Sequence, residues 1–212
     1  MRISLLALAA SVAVAGCLVP VRRPDRTVRL DAARVAEVQA SISTASGPAR
    51  RAVILGQLAE AGLTPLADGS FQAGLDGTLV GGWIPGREPI ARPSLVVVGV
   101  GADDPEASVV LEAARLLVGR SQRELVPARS VLFLVWDGTR SSLEAIEAVR
   151  RSALWPRGLV RAALVVGDVP DLEGISVSRL DARGAASVDG IMEQIVAAAR
   201  RPDPEADSTQ TR

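Results

Sequence analysis

The sequence predicts an α/β domain of three layers, a mostly parallel central sheet with an antiparallel edge hairpin and helices on both faces. Three observations lead there. Aliphatic runs at Leu95–Val100, Val131–Val135 and Val160–Val166 suit strands covered on both faces. Helical segments of ten or more residues separate them, the length that a crossover between parallel strands needs. Ahead of them, Asp76 and Gly77 divide two short extended runs between Ser70 and Trp83, a strong hairpin dipeptide.

The elements follow in order. Residues 1–16 carry Arg2, an apolar run from Ile3 to Val14 and then small residues, the order of a secretory leader, and the run is too short for a permanent anchor. Residues 17–28 hold the only cysteine, Cys17, followed by a tether punctuated by Pro20 and Pro24. The folded domain is expected over 29–201. Leu30, Val35, Val38 and Ile42 fall at helical spacing, with Asp31 suited to the first turn. A second helix is expected from Ala49 to Ala61, with Val53, Ile54, Leu55 and Leu58 inward and Gly62 as its C-cap.

Beyond the hairpin and the prolines 85, 89 and 93 comes the first central strand. A strongly apolar helix starts near Pro105 and carries Val109, Val110, Leu111, Ala114, Leu116 and Leu117. Then come the second strand, a helix over 141–151, the third strand, a weaker alternating strand from Ile175 to Leu180 and a last helix over 188–199. Residues 202–212, polar and acidic, are expected to be disordered.

Composition bounds function. The 212 residues, 48% of them hydrophobic, suffice for one core of ordinary size. Histidine, lysine, asparagine and tyrosine are absent, a usage expected of a GC-rich genome. Without histidine there is no imidazole to serve as general base or metal ligand. Net charge is zero, the arginines are interspersed with acids, and aromatics make up 2%, so a nucleic-acid partner is not expected.

Val14, Ala15, Gly16 and Cys17 resemble the lipobox of bacterial lipoproteins. That resemblance implies cleavage before Cys17, lipid on its thiol, membrane attachment and a place in the bacterial cell envelope, lipid-anchored and facing the periplasm or in the outer membrane. A lipidated thiol also explains a lone cysteine in an oxidising compartment, because a thioether forms no disulfide.

A second resemblance covers about Leu30 to Gly138. The L-V-G-G-W-I-P-G stretch at 79–86 is similar to the co-catalytic zinc aminopeptidases of the bacterial leucyl aminopeptidase and glutaminyl cyclase type. So are the strand and G-A-D-D loop at 95–104, the helix stretch Glu112 to Leu116, and R-S-V-L-F-L-V-W-D-G at 129–138. The resemblance implies that family's α/β fold in shortened form and would imply zinc.

The departures fall on the metal site. Either Gly101 stands where the family has histidine and Asp103 where it has the adjacent aspartate, or Asp104 is the bridging aspartate and a loop is missing. After Asp137 and Gly138, Thr139 and Arg140 replace the paired glutamates, and Asp168 matches a later aspartate. A two-zinc centre needs about five or six protein ligands and a base. Asp103, Asp104, Asp137 and Asp168 are therefore read as remnant positions, with no catalytic residue and no cofactor expected. A binding or assembly role with an envelope protein or peptide partner follows. The alternatives are a hydrolase with a rearranged carboxylate site, and a subunit contributing half of a site.

Three further features have ordinary structural readings. Trp136 is expected in the core and Trp83 over the sheet edge. Ser141 and Ser142 suit N-caps better than nucleophiles. Glu112 is read as an acid paired with an arginine at the margin of its helix.

Overall fold

The computed structural model describes residues 30–66, 68–73, 78–88, 94–121, 127–152, 159–182 and 188–200. Cys17, the tether, the 202–212 tail, Asp76, Gly77, Pro89, Pro93 and Trp155 lie outside them. The elements are α1 (Ala32–Thr44), α2 (Gly47–Glu60), β1 (Gln72–Ala73), β2 (Leu79–Ile84), β3 (Leu95–Gly101), α3 (Ala107–Ser121), β4 (Ser130–Trp136), α4 (Ser142–Arg151), β5 (Val160–Val165), β6 (Ser176–Arg179) and α5 (Val188–Arg200).

They build one six-stranded sheet in the order β1-β2-β4-β3-β5-β6. Strands β4, β3, β5 and β6 are mutually parallel, while β2 runs antiparallel to both β1 and β4. The expected α/β class, mostly parallel with an antiparallel hairpin at one edge, is the observed one.

Period-two alternation explains why the central strands are aliphatic on both sides. Val96, Val98, Val100, Val131, Phe133 and Val135 join a core closed by α1, α2, α3 and α5. Leu95, Val97, Leu132, Leu134 and Trp136 face a second core under α4, where Ala145, Ile146 and Val149 are buried. Trp136 is 5% exposed, as its place on a central strand predicts. Trp83 is half-buried within β2. Beyond the two-residue β1, the outer edge of β2 is finished by a bridge between Trp83 and Thr64, and the Trp83 indole donates to the Pro65 carbonyl at 2.8 Å.

Local chemistry sets the helix ends. Asp31 caps α1 by accepting from the Ala33 and Arg34 N–H groups. Gly62, at φ 77°, closes α2 in the left-handed conformation that glycine adopts without a Cβ penalty. Ser141 opens α4 through a capping box with Glu144. Between β5 and β6 the chain crosses without a helix over 166–175, and Leu172 from this crossover packs into the α4-side core.

Glu112 is paired as expected but sits deeper than the helix margin, at 3% exposure. Arg115 donates to both its oxygens at 2.6 and 2.7 Å, Arg34 approaches at 3.5 Å, and the Asp31 N–H donates to it at 3.4 Å. This network ties α3 to the start of α1.

Candidate functional site

The connection leaving β3 passes through α3 on one face of the sheet, and the one leaving the neighbouring β4 passes through α4 on the other. Connections that diverge from adjacent parallel strands open a crevice at their carboxyl ends, the place where α/β sheets hold ligands. A cavity of about 410 Å³ lies there. Its apolar wall is Ile54, Val80, Val135 and Trp136, and its rim comes from the Ala102–Asp103 turn, the Asp137–Thr139 turn, Thr78 and the opening residues of α2.

Two of the four expected positions meet here. Asp103 and Asp137 both line the cavity. Asp103 forms an ion pair with Arg50 of α2, and its carboxylate occupies the space beside Gly138 where any larger residue would place a Cβ. Asp137 accepts from the Thr139 N–H at 3.2 Å and the Thr139 hydroxyl at 2.5 Å. Asp104 instead folds back on its own strand, its Oδ2 accepting from the Gly101 N–H at 3.0 Å. Asp168 stands apart on an exposed loop, where its backbone carbonyl accepts from the Ser142 hydroxyl. Of the two serines, Ser141 is the cap, and Ser142 binds this loop instead.

This donor set does not fit a two-zinc centre. Among the described residues, no three of His, Cys, Asp or Glu come together as metal ligands would. A side chain at Gly101 would meet Asp104 Oδ2 at 2.8 Å, so a histidine there would displace the carboxylate that now caps the Gly101 N–H. Arg140, at a position where the resembling family has a glutamate, donates to the Thr78 hydroxyl at 2.6 Å and brings a fixed positive charge to the same end of the sheet.

Sequence patterning did not single out Arg50 and Arg51. Arg50 donates through Nε to the Ala45 carbonyl at 3.0 Å, which holds its guanidinium toward Asp103. Arg51 lines the cavity and makes no hydrogen bond or ion pair among the described residues. A usable signal was present, since two cations next to the Gly47-Pro48 helix start oppose the helix dipole, which favours acids at that end. A second, shallower hollow adjoins the cavity across Thr78 and Thr139 and includes Arg140, Glu144 and Arg151. The Ser141 N–H and hydroxyl donate to Glu144 and hold its carboxyl below the usual glutamate range.

No family model and no curated protein sequence matches the chain. Solved structures that resemble it include a candidate Zn-dependent exopeptidase from Bacteroides vulgatus, at 15% identity and a TM-score of 0.43, covering 68% of this chain and 63% of that one. LapB from Legionella pneumophila is similar at 14% identity and a TM-score of 0.41, covering 78% of this chain and 59% of that one. The chain thus spans about three-fifths of the length of either, and likenesses this low carry no assignment of activity.

Proposed function

We propose that the chain is an envelope lipoprotein, lipidated at Cys17, whose α/β domain binds a peptide or protein partner at the carboxyl edge of its sheet without cleaving it. One observation carries the reading: the acids that would form a metal site are engaged elsewhere. Asp103 is committed to Arg50, Asp104 to the Gly101 N–H and Asp137 to Thr139. Binding needs only the crevice and its polar rim, whereas hydrolysis by a metal centre needs free carboxylates that converge, and a base. The rearranged-carboxylate hydrolase gains no support from this arrangement, because Asp168 does not line the cavity shared by Asp103 and Asp137.

The test is zinc analysis of the purified full chain together with turnover of aminoacyl-p-nitroanilides. Zinc well below one ion per chain and no turnover are expected. Stoichiometric zinc with turnover would overturn the reading.

A further inference from the structure

We infer that the cavity at the carboxyl ends of β3 and β4 takes a carboxylate on a compact apolar or peptide body, with Arg51 as the residue that recognises the charge. The inference deepens the binding role proposed above and rests on it. The chemistry of the ligand follows from which hydrogen-bonding groups of the lining are already engaged. Asp103 is neutralised by Arg50, while Asp137 keeps its charge with Oδ1 held by two donors from Thr139, so the hydrogen-bonding capacity left free in the lining is chiefly guanidinium N–H. Arg51 is the lining cation without a partner among the described residues. Arg50 uses Nε on Ala45 and Nη1 on Asp103, leaving Nη2 without a bond among the described residues.

A second, independent observation points the same way. Cations near the start of α2 work against the helix dipole; Arg50 is repaid there by Ala45 and Asp103, whereas Arg51 has no such local gain, and local rules broken without one concentrate at functional sites. A bound anion would supply that gain. A guanidinium pairs with a carboxylate through two parallel N–H···O bonds, and its planar fork selects that group over a neutral amide of the same shape. The volume of about 410 Å³ and the wall of Ile54, Val80, Val135 and Trp136 set the rest of the ligand, a small apolar body rather than a bare inorganic anion.

The experiment titrates the full chain in detergent with N-acetyl-L-leucine, N-acetyl-L-alanyl-L-leucine and their C-terminal amides, by calorimetry, with and without EDTA. Saturable binding of at least one acid is expected, unchanged by EDTA and about tenfold or more tighter than its amide, the size of one charge-assisted contact. Arg51→Gln should remove that preference and Arg51→Lys should restore part of it. Equal binding of acid and amide, no binding of either acid, or an undiminished preference in Arg51→Gln would overturn the inference while leaving the non-catalytic reading standing. Acid binding that EDTA abolishes would overturn it in favour of a metal-held carboxylate. Zinc with turnover in the same sample would instead remove the reading on which it rests.

Discussion

Glu112 shows what a single buried charge does in this chain. Its carboxylate is almost fully covered, while Arg34 and Arg115 keep partial access to water, each side chain 23% exposed. The Glu112 carboxylate pushes the Arg115 guanidinium above its ordinary value, so the arginine stays charged at every accessible pH. Replacing Glu112 with Ala leaves the Asp31 N–H without its acceptor and takes the bidentate carboxylate from Arg115, while Arg34 keeps Glu60. Breaking a buried pair in this way costs about 3 kcal/mol, at the low end of the range because the arginines can turn to solvent. Urea unfolding of Glu112→Ala should show that loss, and a change below about 1 kcal/mol would mean the network does not hold α3 to α1. At the same scale, Arg34 donates to Glu60 and holds its carboxyl below the usual value. A depressed pKa gives stability present above the unfolded value and lost as pH falls through the folded one, so this pair weakens only on the acid side. Its Glu60 partner is 56% exposed, which keeps the contribution small.

Among the elements, α4 is the single described helix that closes the second core, and its capping box fixes where it begins. Ser141→Ala removes the acceptor for the Glu144 N–H and one donor to the Glu144 carboxylate. A cost of about 1 kcal/mol is expected by chemical denaturation at pH 7. The Ser141 N–H, which alanine keeps, lowers the Glu144 pKa most and the hydroxyl lowers it further, so the gap between wild type and Ser141→Ala should narrow in part as pH falls through the folded Glu144 value, and a gap constant from neutral to strongly acid pH would refute that account. This helix and the central strands were legible in the sequence because periodicity and capping chemistry are local: Ser141, Glu144 and the alternating β4 residues announce themselves within a few positions. The pairing order was not, since β5 lying beside β3 and not β4, and a parallel β6 reached without a helix, depend on contacts distant in sequence. The site was half legible. The strand ends named Asp103 and Asp137, but the arginines that share the cavity with them, Arg50 and Arg51, come from a helix far earlier in the chain. Only the misfit between two arginines and a helix start marked them.

At the scale of the whole molecule, the sheet ends quietly on both sides. β1 has two residues, and β6 is a four-residue strand whose Ser176 and Arg179 are exposed, so neither edge offers the long apolar template that pairing with another chain uses. The half-site reading, in which a partner extends the sheet, therefore draws no support from the described edges. Attachment to a membrane is a separate matter. Among the described residues no helix is long and apolar enough to cross a bilayer; the proposed anchor is the lipid on Cys17. A single acyl chain gives only marginal, reversible attachment, whereas two chains on one residue hold stably, each buried methylene adding about 0.8 kcal/mol. A diacylglycerol thioether on Cys17 should accordingly keep the chain in the membrane fraction through salt and alkaline washes and release it only with detergent. Cells fed an alkyne fatty acid should label the wild-type chain and not Cys17→Ala, and mass spectrometry of the mature N-terminus should find the modified cysteine as its first residue. A free Cys17 thiol in the mature chain, or equal labelling of Cys17→Ala, would detach the domain from the envelope surface and leave its carboxyl-edge cavity to be explained in another compartment.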